Sequence, residues 1–176
     1  GQDRPRLLDF LREQHIVTGF KAKDKEEAIK KLVDRLYATH SPDTDKAAFL
    51  ESVLERDADE STCLGEGLMI PHGVVDGDQH KIVGVMALSE EGLPFDTPDG
   101  EPIHAIVLLA TSEIDRKRHL EVLAAFARAI GGDRSIRDQL YSASSPAHAY
   151  NILHIHDAED FNYFFHETME EEEAAA

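Results

Sequence analysis

The chain has 176 residues, 41% hydrophobic and 30% charged, with 18 Lys and Arg against 35 Asp and Glu for a net charge of −17. This is the composition of a globular protein, and one domain of this length buries about 70% of its unfolded surface without disulfide staples. Cys63 is the only cysteine, which excludes an internal disulfide or a multi-cysteine metal site; the acidic balance makes nucleic acid a poor partner, and no apolar run reaches the ~20 residues of a membrane helix.

In chain order, Pro5 suits a first helical turn, with Leu7, Leu8 and Leu11 as a short apolar face. Ile16–Phe20 reads as a brief strand. Asp24 and Glu27 have capping-box spacing, and Ala28, Ile29, Leu32, Val33 and Leu36 then recur at helical intervals. Ser41-Pro42-Asp43 breaks this helix, and a further helix is expected with Ala47, Leu50, Val53 and Leu54 inward. Residues 61–77 are too glycine-rich for a helix and read as short strands and tight turns.

Ile82–Leu88 and Ile103–Ala110 are apolar β runs, the second almost unbroken and therefore expected to be buried on both faces. Leu93–Gly100 joins them as a turn. A helix is expected after Thr111, with His119, Val122, Leu123 and Phe126 on one stripe and Gly131-Gly132 as its stop. Shorter helices follow at Asp133–Tyr141 and Ser145–Leu153. The order of elements predicts an α/β (α+β) fold, a single-domain sandwich with a mixed β-sheet flanked by helices.

Beyond Leu153 the character changes. Residues 157–176 carry −8 of the net charge with no Lys or Arg, and Phe161, Tyr163, Phe164 and Phe165 crowd into five positions. An aromatic cluster needs cover, from its own domain or from a partner chain. The expected division is a domain over residues 5–153 and an aromatic, then acidic, tail over 154–176. Gly1-Gln2 without an initiator methionine suggests a start inside a longer protein.

Among the ten histidines, His154-Ile155-His156 has the alternation of a strand-borne metal clip, but it lacks a third well-spaced ligand. On its residues alone His119 reads as a hydrogen-bonded core histidine. His72 is mounted between rigid Pro71 and permissive Gly73, a setting for a nucleophile, a base or an ordinary turn residue. G-x-S-x-G, P-loop and G-x-G-x-x-G patterns are absent, and Gly65-Glu66-Gly67 is only a fragment of the last.

The segment Arg56–Gly73, RDADESTCLGEGLMIPHG, resembles the enzyme IIA domains of the fructose–mannitol family of the bacterial sugar phosphotransferase system. The resemblance continues in Asp24–Leu36, in the Phe95–Gly100 hairpin FDTPDG, and in Asp115–Leu123 with its His-Leu pair, and covers Pro5 to Leu153. It implies that His72 carries a phosphoryl group and that His119 lies beside it. Arg56, Glu66, Ser61 and Thr62 match positions lining the phosphate pocket. It also implies that no metal or nucleotide cofactor is needed, and that the domain is cytoplasmic, free or tethered to a membrane protein. The partners implied are a phosphocarrier of the HPr type and an enzyme IIB domain. Alternatively the domain belongs to a larger transporter or transcription regulator and signals through the phosphorylation state of His72. A third reading, a metal-dependent hydrolase built on the histidines, has the least support.

Overall fold

The computed structural model describes residues 11–59, 62–76, 83–112, 130 and 132–157. The elements in chain order are a 3-10 turn at Glu13–His15, β1 (Ile16–Val17), α1 (Lys25–His40), α2 (Lys46–Asp59), β2 (Cys63–Gly65), β3 (Leu68–Met69), β4 (His72–Val75), β5 (Val83–Leu93), β6 (Ile103–Ser112), α3 (Arg134–Tyr141) and α4 (Pro146–Asp157). The six strands form one mixed sheet in the order β1-β5-β6-β3-β2. β3 and β4 run one after the other along the same flank of β6. β5 pairs antiparallel with β6, whereas β3 and β4 pair parallel with it and β1 runs parallel to β5. The expected mixed sheet flanked by helices is the observed architecture.

β6 lies at the centre of the sheet, and all its residues but His104 are buried, which is what its unbroken apolar run requires. Alternation sends its side chains to two cores. On one face Ala105, Val107 and Leu109 meet Leu68, Ile70, Met86 and Leu88 under α3 and α4. On the other, Ile106, Leu108 and Ala110 meet Met69, Val85 and Ala87 under α1 and α2.

Local chemistry sets the helix ends. The Asp24 carboxylate accepts the Glu27 backbone N–H at 2.8 Å, and Glu27 reaches back to the Lys23 N–H, so one orphan donor of α1 is satisfied by its cap and the chain just ahead is tied to the first turn. At the other end Ser41 is left-handed, at φ 50°, and Pro42 cannot continue the helix.

Three expectations need correcting. The strand expected over Ile16–Phe20 is only two residues long, since Gly19 turns to φ 63° and only Phe20 rejoins β5, through Leu88. In α2 Phe49 and Val53 are fully buried, Leu50 and Leu54 half-buried and Ala47 exposed. Three of the four residues expected inward therefore face the core and only Ala47 does not; Phe49, not singled out, is the central contact, where Gly73 offers no side chain beneath Phe49 and Val53. Finally, α4 runs to Asp157, so positions 154 and 156 are roughly 200° apart around a helix rather than on one face of a strand. Among the described residues no group of three or more His, Cys, Asp or Glu could hold a metal ion.

Candidate functional site

His72 opens β4, opposite Leu109 of β6. Pro71 removes one backbone donor, but its carbonyl accepts the Leu109 N–H at 3.1 Å, so the chain enters β4 already paired to the central strand. Alternation directs Gly73 to the α2 side and His72 to the side shared by Leu68, Ile70 and Leu109, and the imidazole is half-buried. Its Nδ1 lies 3.4 Å from the Ile70 carbonyl oxygen. A carbonyl only accepts, so this contact favours the tautomer with the proton on Nδ1 and the lone pair on Nε2, the form of a nitrogen nucleophile.

Arg56 reaches this corner through the packing of α2. Thr44, just before the helix, receives the Asp76 N–H on its hydroxyl; Ser52 receives the Val74 N–H at 3.3 Å; Phe49 and Val53 lie against Gly73. The helix therefore runs antiparallel to β4. Arg56 stands three residues beyond Val53, about 4.5 Å further along the axis, which brings the last turn level with Pro71 and His72. Asp57 follows in the same turn. Its side chain is 11% exposed, and it accepts the Thr62 hydroxyl on Oδ1 at 2.9 Å and the Lys25 ammonium on Oδ2 at 3.1 Å.

Thr62 is close by, and its carbonyl accepts the Ile70 N–H at 3.0 Å. Its single hydroxyl proton is directed to the Asp57 carboxylate.

Glu66 lies elsewhere. The Gly65-Glu66-Gly67 turn has φ values of 86°, 56° and 77°, a left-handed run that glycine tolerates and glutamate seldom adopts. The Gly67 carbonyl accepts from His104 and Ala105, near the start of β6, whereas His72 pairs with Leu109. Five residues of extended chain separate Gly67 from His72, roughly 16 Å. The Glu66 carboxylate faces Arg137 of α3 at 3.5 Å, and the Tyr141 hydroxyl donates to the Glu66 carbonyl at 2.8 Å. Tyr141 stacks on His104, and burial pushes its phenol well above the usual range.

Thr62 and the last turn of α2, which carries Arg56 and Asp57, thus lie beside the segment that leads to His72, and Glu66 is held at the other end of that segment. Ser61 and His119 lie outside the described residues, as do the helix expected around His119 and most of the tail. Asp57 and Lys25 belong to the corner but were not singled out from sequence. One signal was available: an acid in the last turn of a helix opposes the macrodipole and calls for a cationic partner.

Residues 9–155 match the family described as the phosphoenolpyruvate-dependent sugar phosphotransferase system, EIIA 2. The chain belongs to this family. Among its relatives, the fructose-specific EIIABC component of Bacillus subtilis is 29% identical over 152 residues, covering 86% of this chain and 24% of the Bacillus protein. The nitrogen regulatory protein of Bradyrhizobium diazoefficiens is 27% identical over 147 residues, covering 84% of this chain and 94% of that one. The chain therefore spans about a quarter of the first relative and nearly all of the second. The crystal structure of nitrogen regulatory protein IIA-Ntr from Neisseria meningitidis superimposes with a TM-score of 0.72 at 30% identity, over 82% of this chain and 97% of that one. The IIA of the Escherichia coli complex of enzyme IIAMTL and phosphorylated enzyme IIBMTL shares the fold, with a TM-score of 0.65 at 22% identity, over 80% and 94%. As a IIA domain, the chain is a histidine phosphocarrier.

Proposed function

We propose that His72 is the phosphoryl acceptor, loaded by a phosphocarrier of the HPr type and discharged to an enzyme IIB domain. The observation that carries this reading is the half-buried His72 imidazole at the start of β4, whose Nδ1 contact with the Ile70 carbonyl favours the tautomer with the lone pair on Nε2. In the transfer that Nε2 pair attacks phosphorus in line while the N–P bond to the donor's imidazole breaks, and the released pair returns to the donor ring. His72 keeps its Nδ1 proton, so positive charge develops on its ring and the Ile70 carbonyl oxygen stabilises it, as an orienting acceptor does for any nucleophilic or basic histidine. Arg56, one helical turn beyond Val53, supplies guanidinium donors to the phosphoryl oxygens. His119 completes the pocket in this proposal, and Ser61 adds a hydroxyl; no metal or nucleotide takes part. A domain over 5–153 with the tail appended, acting in the cytoplasm, belongs to the same proposal. Among the described residues no helix is long and apolar enough to cross a membrane.

A regulatory reading has its own support, since the chain spans 94% of the Bradyrhizobium nitrogen regulatory protein and only 24% of the Bacillus sugar component. Phosphorylation of His72 then adds about −1.5 to −2 charges to a surface that binds a regulated partner.

The test is incubation with phosphoenolpyruvate, enzyme I and HPr, followed by phosphorus NMR. The wild type acquires an acid-labile phosphohistidine bonded at Nε2, and His72→Ala acquires none. Equal labelling of His72→Ala refutes the assignment. Discharge by purified IIB domains separates the two readings: a transport component loses its phosphate to one of them, and a purely regulatory domain retains it.

A further inference from the structure

We infer that Asp57 and Thr62 are positioning residues for phosphoryl transfer, forming with Lys25 a clamp that fixes the imidazole of His72 relative to the helix end that holds Arg56. The inference rests on the proposed role of His72 and goes beyond it by giving Thr62 a role other than phosphate binding.

Four contacts form an unbroken path. Lys25 Nζ meets Asp57 Oδ2 at 3.1 Å, Thr62 Oγ1 donates to Asp57 Oδ1 at 2.9 Å, Ile70 N donates to the Thr62 carbonyl at 3.0 Å, and His72 Nδ1 donates to the Ile70 carbonyl at 3.4 Å. The path starts at the first residue of α1, crosses the last turn of α2, passes through the loop before β2, and ends on the candidate nucleophile. Thr62 is buried, so its hydroxyl needs a partner inside the protein, and Asp57 is that partner.

Asp57 has chemical reasons to be paired. A carboxylate in the final turn of a helix faces the negative end of the dipole. It also adjoins Arg56, where a bare negative charge would weaken the attraction of the guanidinium for a dianion. Lys25 offsets that charge, and the two carboxylate oxygens are divided between a charge partner and a hydroxyl. One side chain therefore joins two helices to the segment that delivers His72. A shift of about 1 Å in a reacting group can cost on the order of a hundredfold in rate, so slack anywhere along this path weakens transfer without touching the phosphate.

The experiment compares wild type, Thr62→Val, Thr62→Ser, Asp57→Asn and Lys25→Met in two measurements. The first is amide hydrogen exchange at Ile70, whose N–H is bonded to the Thr62 carbonyl; the second is the rate of phosphate uptake from phosphorylated HPr across donor concentrations. Thr62→Val is expected to speed exchange at Ile70 and to lower the maximal transfer rate about tenfold or more with the donor KM little changed. Thr62→Ser, which keeps the hydroxyl, should restore both. Asp57→Asn and Lys25→Met should each slow transfer while the protein still melts cooperatively. Unchanged transfer in Thr62→Val overturns the inference, and so does a loss that Thr62→Ser fails to restore. A change in donor KM alone overturns it as well. A wild type that takes no phosphate refutes the role of His72 itself and removes the clamp's catalytic purpose, even if exchange at Ile70 quickens in Thr62→Val.

Discussion

Replacing Gly73 with alanine tests the packing that places His72. An added Cβ would stand 2.6 Å from Val53 Cγ2, 2.7 Å from Ser52 Oγ and 2.8 Å from Phe49 Cε1. Comfortable carbon contacts are about 3.5–4.0 Å, so α2 would have to retreat by roughly 1 Å. Phe49 and Val53 are fully buried and have nowhere to go, and Ser52 Oγ already holds the Val74 N–H. Overpacking of this kind costs about 1–3 kcal/mol, against about 0.4–1 kcal/mol gained when alanine stiffens the unfolded chain. The net expectation is a loss near 1–2 kcal/mol, equivalent to roughly 2–8 °C in Tm for a chain of this size. Thermal and urea unfolding measure it, with an unchanged m-value expected since the surface exposed on unfolding stays the same. Phosphate uptake, assayed well below Tm, should also fall, because displacing α2 moves Arg56 relative to His72. An unchanged or raised Tm would refute the reasoning, since without the α2 contacts a glycine-to-alanine change in ordinary extended backbone stabilises.

Three further outcomes follow from the same structure. Burial raises the phenol of Tyr141, and burial with nearby Asp45 and Asp76 raises that of Tyr37, both from 10.0. Each folded phenol holds its proton more tightly than the unfolded one, so stability is fully present below about pH 10 and falls as pH rises above it. Urea midpoints at pH 8, 10 and 11 should show that decline, shallower in Tyr141→Phe. At pH 8 the same variant should lose about 0.5–1.5 kcal/mol with the hydrogen bond to the Glu66 carbonyl. Asp24→Ala should cost about 1 kcal/mol by urea unfolding, because the Glu27 N–H loses its cap. No loss there would mean that water serves the first turn of α1 equally well.

Elements governed by their own residues were legible in the sequence. The unbroken apolar run of β6, the Asp24 cap of α1, the glycine-rich short strands and the short helix ending at Tyr141 depend on neighbours a few positions away. The Pro71-His72 pair stood out for the same reason: a rigid residue beside a permissive one is visible in a short window. The central place of Phe49 in the α2 contact was not legible, because it depends on the missing side chain of Gly73, more than twenty residues downstream. The strand alternation considered for His154 and His156, and set aside for want of a third ligand, gives way to a helix, since α4 continues through both positions.

By itself the sequence determined the element types, the acidic surface and the family pattern around His72. Those follow from hydrophobic period, turn chemistry and formal charge, which are properties of short stretches of chain. Only the tertiary structure decided which residues share a corner. It took the parallel pairing of β3 and β4 along β6 to separate Glu66 from His72, and the antiparallel seating of α2 to bring Arg56 and Asp57 alongside. The Thr62 hydroxyl, whose residue type suits an anion, was assigned to Asp57 by that same packing. A hydroxyl has one proton to donate, and where it goes is a matter of three-dimensional neighbours that linear spacing does not encode.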